Sequence, residues 1–238
     1  MQPLQFFLPV TASAGFLLTF LTGMGSLVHA PALAAPLAHK GSIIVSGEFD
    51  PQWSFLTVTP TLTRTTGVGP ALHWLEPETR SGSEGGDAGQ ELWSLVALTQ
   101  RLHRWNGEHY QANLWAGVGA GLLTILPGEG GPPESGFGWS PWAQADWETR
   151  RLYLGAAARW FQAADIGRLM TSARAGVALT AADYNRWQPW LMVEARTMEG
   201  MEERVEITPL LRVIHRRILA EAGVSTRGAA RFNLTYTF

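Results

Sequence analysis

The chain of 238 residues contains no cysteine, a single lysine (Lys40) and no run of like charge. The absence of cysteine excludes a disulfide framework. The formal net charge is only −2, and the cations are scattered, so the basic footprint of a nucleic-acid-binding protein is missing. No residue pattern predicts a cofactor, so the sequence has to be interpreted through its periodicity.

Only one long apolar run is present, and it lies at the amino terminus. Residues 6–27 are rich in Phe, Leu, Ala and Gly without a charged side chain, and Ala32, Leu33 and Ala34 form a small-x-small pattern typical of signal peptidase sites. We therefore expect a signal peptide over residues 1–34, cleaved before Ala35, although no Lys or Arg precedes the run. About 20 apolar residues could also span a bilayer as an uncleaved anchor.

Residues 35–238 alternate between apolar and polar side chains in short runs separated by turn residues. Thr57, Thr59, Thr61 and Thr63, for example, alternate with apolar neighbours, which is the period of a β-strand. The pattern predicts an all-β chain of about twelve strands, with ten as the alternative, and two long polar loops over 76–90 and 126–136. An even count with strands of alternating direction puts both loops at the end opposite to the termini.

The last strand has one aromatic-rich face and one polar face, and it ends on an aromatic residue. Its apolar positions are Phe232, Leu234, Tyr236 and Phe238. Such a strand resembles the closing strand of bacterial outer-membrane β-barrels, including the porin-like proteins. The resemblance implies an antiparallel transmembrane barrel over 35–238, exported through the periplasm to the outer membrane, where the lipid bilayer and lipopolysaccharide surround it. It also implies that the barrel-assembly machinery binds the terminal strand.

Charged side chains recur on one face of several strands, and a lipid-facing Arg would cost about 2–4 kcal/mol near the midplane. We therefore expect these charges to point into the barrel, with the acids of 142–148 beside the arginines of 151–160. The predicted interior charges are Asp146, Glu148, Arg151, Arg159, Arg174, Glu194, Arg196, Glu206, Arg212, Glu221 and Arg231. Such an interior is either a nearly balanced pore for small solutes or a barrel closed by its own ion pairs.

Tryptophans near the predicted strand ends suit the headgroup level of a membrane, where they form aromatic girdles. The residues concerned are Trp53, Trp74, Trp93, Trp105, Trp139, Trp142, Trp147, Trp160, Trp187 and Trp190. The alternative with a specific function is a row of rings on which a carbohydrate stacks, and its candidates are Trp139, Trp142 and Trp190.

Other readings of the sequence remain open. A secreted soluble β-barrel or β-sandwich that binds a ligand would show the same alternation with the polar face outside. A lipid-modifying enzyme would need a Ser–His pair, for which the strands offer Ser94 and Ser140 with His73, His103, His109 and His215, but no motif joins them. Weak cation sites could form from His39, His103 and His109 or from the acids at 199–203. Imidazoles without a carboxylate or thiol partner bind a metal weakly, and acids in a loop are ordinarily solvated, so we predict no metal.

Overall fold

Twelve β-strands account for most of the described chain, in a computed structural model that describes residues 37–77, 89–127, 132–180, 185–200 and 205–238. The strands are β1 (Ile43–Phe49), β2 (Trp53–Pro60), β3 (Thr66–Leu75), β4 (Gln90–Asn106), β5 (Tyr110–Leu126), β6 (Glu134–Thr149), β7 (Leu152–Ala163), β8 (Ile166–Ala178), β9 (Gln188–Met198), β10 (Glu206–His215), β11 (Ile218–Val224) and β12 (Ala230–Thr237).

Each strand pairs antiparallel with its neighbours in sequence, and β12 pairs with β1 to close the barrel. The seam runs from Ile44 opposite Thr237 to Phe49 opposite Phe232. The predicted fold class of a closed antiparallel barrel is therefore confirmed with twelve strands, and the ten-strand alternative is wrong. The even number of strands and the full closure of the sheet are the two features that the resemblance to outer-membrane barrels implies.

The two ends of the barrel are distinguished by the chain termini. We call the end where β1 begins and β12 finishes the terminal end, and the opposite end the far end. Because the strands alternate in direction, the connections 76–89 and 127–133 both join strands at the far end, as predicted. The second connection is shorter than expected, because β6 begins at Glu134 rather than at the predicted Trp139.

The outer face of the barrel is free of charged residues. Alternation and strand register place no Asp, Glu, Lys or Arg at an outward position of the twelve strands. Large apolar side chains are instead exposed there around the whole circumference, among them Leu72, Val96, Leu98, Val118, Leu122, Leu154, Val177, Leu191, Val193, Ile207, Leu211 and Phe232. A soluble barrel requires the opposite arrangement, with its polar face outside.

A short segment before β1 packs at the terminal end. Leu37 is buried, and a Cβ built on the inward-facing Gly67 would lie 2.5 Å from its Cδ2 atom. Ser42 donates a hydrogen bond to the carbonyl of His39, while Lys40 is exposed. The predicted signal peptide, residues 1–34, lies outside the described residues. Within the described ranges, no helix is long and apolar enough to cross a membrane.

Candidate functional site

The far end of the barrel interior is filled by apolar side chains. Leu75, Trp93 and Phe161 have no exposed surface, and the Trp93 and Phe161 rings lie 5.1 Å apart between centroids. Their buried partners come from strands β2 to β5 and β7 to β9. We call this set the apolar cluster: Trp53, Ala71, Leu75, Trp93, Leu95, Leu123, Ile125, Phe161, Ala163, Ile166, Met170 and Met198. Packed side chains therefore occupy the far end on this side of the barrel.

An ion pair spans the interior beside the apolar cluster. Arg168 on β8 donates to both carboxylate oxygens of Glu91 on β4, at 2.6 to 3.1 Å. Trp93 adds a hydrogen bond from its indole N–H to Glu91 at 3.2 Å. The two paired residues are almost fully buried and lie four strands apart around the barrel. Their bidentate geometry fixes both side chains across the lumen.

A larger ion network fills the interior along β1 and β8 to β12. Its members are Glu48, Asp50, Arg174, Glu194, Arg196, Glu206, Arg212, Glu221 and Arg231. Arg231 stands at its centre, with distances of 2.9 to 3.0 Å to Asp50, Glu194 and Glu206. Five acids and four arginines thus neutralise one another almost completely. Such pairing is required where charges leave water.

Some contacts of the ion network cross the full width of the barrel. Arg174 on β8 lies 3.6 Å from Glu48 on β1, and Arg196 on β9 donates a hydrogen bond to the same carboxylate. The Arg196 guanidinium also lies 4.7 Å from the ring centroid of Trp53 on β2, in the apolar cluster. Strands β9 and β2 are five steps apart in a ring of twelve. Arg196 therefore joins the ion network to the apolar cluster across the lumen.

A cavity of about 260 Å³ remains in the barrel interior. Its wall includes aromatic rings of Phe55, Trp142 and Tyr153, together with small residues of β3, β4, β7 and β8. Ile44, Thr59, Leu219 and Thr235 line it toward the terminal end. The apolar cluster and the ion network lie between it and the far end.

A separate polar cluster lies at the terminal end of β4 to β6. Asp146 accepts hydrogen bonds from Asn113 Nδ2 at 2.7 Å and from Trp115 Nε1 at 2.8 Å. Arg104 donates to Asn113 Oδ1 at 2.7 Å, and Glu148 accepts from Gln111 at 3.2 Å. These hydrogen bonds hold the barrel wall at the terminal end of β4 to β6, and none of them joins an arginine directly to a carboxylate.

The structure places ten of the eleven predicted interior charges on inward-facing strand positions. Seven of them, Arg174, Glu194, Arg196, Glu206, Arg212, Glu221 and Arg231, meet in the ion network. Arg151 is the exception: it lies in the turn before β7 and is exposed, because the strand begins one residue later than predicted. The expected pairing of β6 acids with β7 arginines is also wrong, since Asp146 bonds to β5 and Arg159 bonds to Ser140.

Four buried, ion-paired charges and the buried position of His73 were not predicted from the sequence. Glu48, Asp50, Glu91 and Arg168 are all buried ion-pair partners. For two of them the sequence does indicate an inward position, because Glu91 alternates with apolar Leu92 and Arg168 alternates with apolar Leu169. His73 is buried beside the cavity, in a strand that reads as apolar.

The tryptophans divide between the two faces, so the girdle interpretation is wrong for part of the set. Trp53, Trp93, Trp142 and Trp190 point inward, whereas Trp74, Trp105, Trp139 and Trp187 are exposed on the outside. The carbohydrate track also does not form: Trp139 faces outward, Trp142 lines the cavity, and Trp190 is buried against Tyr153, Met192 and Leu210.

The candidate enzyme and metal residues that the structure describes do not assemble into a site, and Glu202 and Glu203 of the predicted acidic cluster lie outside the described residues. Ser94 faces outward, and Ser140 Oγ accepts a hydrogen bond from Arg159 at 3.3 Å. His73 has no hydrogen-bond partner on either ring nitrogen, so it does not pair with Ser140. Within the described ranges, no group of three His, Asp or Glu side chains could hold a metal ion.

Fold and interior together define a class, a closed twelve-stranded antiparallel barrel with an apolar exterior and an ion-paired, partly filled interior. Solved structures similar to the chain include the KdgM porin in complex with disordered oligogalacturonate, at 10% sequence identity and a TM-score of 0.46. The KdgM porin alone is similar at 9% sequence identity and a TM-score of 0.45. Both similarities cover 83% of this chain and 98% of the porin chain.

A loop L8 deletion mutant of OmpT, an outer membrane protein of Vibrio cholerae, is similar at 8% identity and a TM-score of 0.33, over 83% of this chain and 97% of its own. No protein-family model and no curated protein matches the chain. Identities of 10% or less transfer no function to this chain.

Proposed function

We propose that this chain is an outer-membrane β-barrel whose interior is closed to ion flow, and that its role is structural or surface-binding rather than solute passage. The observation that carries the proposal is the double closure of the far half. The apolar cluster fills one side of the lumen, and the ion network fills the other. Arg196 contacts both across the barrel.

The exterior supports a membrane location. Twelve strands without an outward charge would leave a large contiguous apolar surface in water, which monomeric soluble proteins rarely expose. In a bilayer the same surface is solvated by lipid chains, and the closed sheet has no edge strand that would expose unpaired backbone polar groups to lipid. The outer membrane is the membrane in which single-chain bacterial barrels of even strand number reside.

The partners follow from the location. Lipid chains surround the apolar exterior, and lipopolysaccharide contacts the far end if that end faces outward from the cell. The outward row of Phe232, Leu234, Tyr236 and Phe238 is the element on which the assembly machinery acts under this proposal. These residues alternate with the buried or half-buried polar row of β12.

A passive channel is the competing function, and electrical recording separates the two. The chain would be refolded in detergent, its folding checked by heat-modifiable migration on a gel, and its insertion into vesicles checked by flotation. We expect inserted protein to give no discrete current steps in a planar bilayer. Reproducible steps from the inserted protein would overturn the closed-barrel proposal and establish a pore.

A further inference from the structure

Arg159 differs from the arginines of the ion network in having no acidic partner. It lies on β7 with its side chain toward the cavity, and no carboxylate of the described residues is within 4.0 Å of it. Its hydrogen bond goes to the neutral hydroxyl of Ser140, at 3.3 Å. Its guanidinium lies 5.6 Å from the Trp142 ring and 5.7 Å from the Phe161 ring. A cation therefore faces the cavity with free N–H donors.

His73 presents a second unsatisfied polar group at the same wall. It is 2% exposed, lines the cavity, and neither Nδ1 nor Nε2 has a hydrogen-bond partner. Its ring meets Phe161 edge-on at 5.2 Å, so Phe161 contacts both His73 and Arg159. A buried polar group without a hydrogen-bond partner destabilises the fold, and a ligand that accepts a hydrogen bond from the imidazole would remove this destabilisation.

The remaining charges of the cavity wall are already neutralised. Glu48, Glu194 and Glu221 each lie within 4.0 Å of two or more arginines of the ion network. Arg159 is thus the charge near the cavity that a ligand could compensate. An anion placed there would gain a charge-assisted hydrogen bond in surroundings of low dielectric constant, where such bonds are strongest.

We propose that the cavity binds a small organic carboxylate, held at its anionic group by Arg159 and His73. The guanidinium N–H groups donate to the carboxylate, and one imidazole nitrogen donates a further hydrogen bond. The body of the ligand packs against Trp142 and the small residues of β7. The volume of about 260 Å³ lies below the range of about 300–1,000 Å³ for pockets of drug-sized ligands, which limits the ligand to a compact molecule.

The ligand would enter from the terminal end. Threonines of β2, β4 and β12, namely Thr57, Thr59, Thr99 and Thr235, line the cavity on that side. The far end is closed by the apolar cluster and the ion network. The inference goes beyond the proposed function, because it depends only on the interior geometry and not on the location of the barrel or its conductance.

Benzoate is the probe for the first test, and benzyl alcohol is its uncharged analogue. Both would be titrated calorimetrically into the detergent-folded barrel, with empty micelles subtracted. We expect benzoate to bind with a stoichiometry of one and benzyl alcohol to bind about tenfold weaker or worse, since a hydrogen bond to a charged group contributes roughly one to two factors of ten. Equal binding of the two probes, or no binding of benzoate, would overturn the proposal.

Variants locate the site. Arg159→Gln keeps a polar side chain but removes the charge, and we expect it to weaken benzoate binding about tenfold or more. His73→Phe should weaken binding by a smaller factor. Arg151→Gln, in the exposed turn before β7, removes the same charge outside the interior and should leave binding unchanged. Each variant must show the heat-shifted band of folded protein.

Crystals soaked with 4-iodobenzoate provide a second readout that is independent of variant stability. The anomalous signal of iodine should lie inside the cavity, with the carboxylate directed to Arg159. Iodine found only on the lipid-facing surface would place the carboxylate elsewhere and refute the site. Benzoate binding in solution that Arg159→Gln leaves intact would refute it as well.

Discussion

Arg196 on β9 places its guanidinium 4.7 Å from the ring centroid of Trp53, which begins β2 on the opposite wall of the barrel. The same side chain donates a hydrogen bond to Glu48 of β1 and lies 3.8 Å from Asp50. One arginine thus links an apolar cluster and an ion network that come from distant parts of the chain. A cation that contacts an aromatic face while it is paired with carboxylates gains from both interactions.

Opening the apolar cluster should convert the closed barrel into a leaky one. Replacing Trp93 and Phe161 together by alanine removes two fully buried rings from the far end, and we expect discrete current steps in a planar bilayer where the wild type is silent. Trp74→Ala is the matched control, because Trp74 faces outward on β3. A double variant that folds and stays silent would show that the cluster does not close the lumen.

Removal of Arg231 should destabilise the barrel strongly. Arg231→Met leaves Asp50, Glu194 and Glu206 facing one another without their central cation, and breaking a buried pair costs about 3–5 kcal/mol. The free energy of unfolding would be measured in urea by loss of the heat-modifiable band. Arg151→Met, in the exposed turn, should change the free energy little; equal effects of both substitutions would contradict the structure.

The pair of Arg168 and Glu91 allows a double-variant cycle. Each single change, Arg168→Met or Glu91→Leu, leaves one buried charge without its partner and should lower the free energy of unfolding by about 3–5 kcal/mol. The double variant removes both charges and should cost much less than the sum, because neither charge is then uncompensated. Additive costs would mean that the two side chains do not interact in the folded barrel.

Charge introduced on the outer face should destabilise the barrel according to its depth. Val193 is exposed near the middle of β9 and Val224 near the far end of β11. In lipid vesicles Val193→Arg should cost about 2–4 kcal/mol and Val224→Arg about 0–1 kcal/mol. The two variants would be unfolded from the same vesicles, and similar costs at both positions would argue against a membrane-embedded exterior.

Loss of the terminal aromatic residue should impair assembly more than stability. Phe238→Ala leaves the ladder between β12 and β1 intact, since the register ends at Thr237. We expect reduced amounts of folded protein in the outer-membrane fraction of cells, while the purified variant refolds in detergent as the wild type does. A normal amount in the membrane fraction would remove the assembly role proposed for this terminus.

The strands and their facing could be predicted because alternation is a local property of the sequence. Glu194 and Arg196, for example, alternate with Val193 and Ala195, and a lipid face cannot hold an unpaired arginine. The partners of these charges could not be predicted, because contacts such as Arg174 with Glu48 depend on strand number and register around the whole ring.

Local alternation is a weak guide where a strand is short or ends. Arg151 stands at a strand end, where a shift of one residue moves a side chain into the turn. Glu48 and Asp50 lie on a strand of only seven residues and just beyond its end, so alternation gave little signal. His73 shares its strand with Leu72 and Trp74, and nothing in that context distinguishes an unsatisfied imidazole from a packing residue.

The acids at the end of β1 have a consequence for the order in which the molecule can form. Glu48 and Asp50 find their counter-ions on β8, β9 and β12, which are among the last five strands to be synthesised. An incomplete sheet, or one closed with a strand missing, would bury these carboxylates without compensation or leave them in water. Arg231 on β12 reaches both acids where β12 pairs with β1. Closure of the seam therefore completes the neutralisation of the first strand, and unfolding should proceed as a single cooperative step.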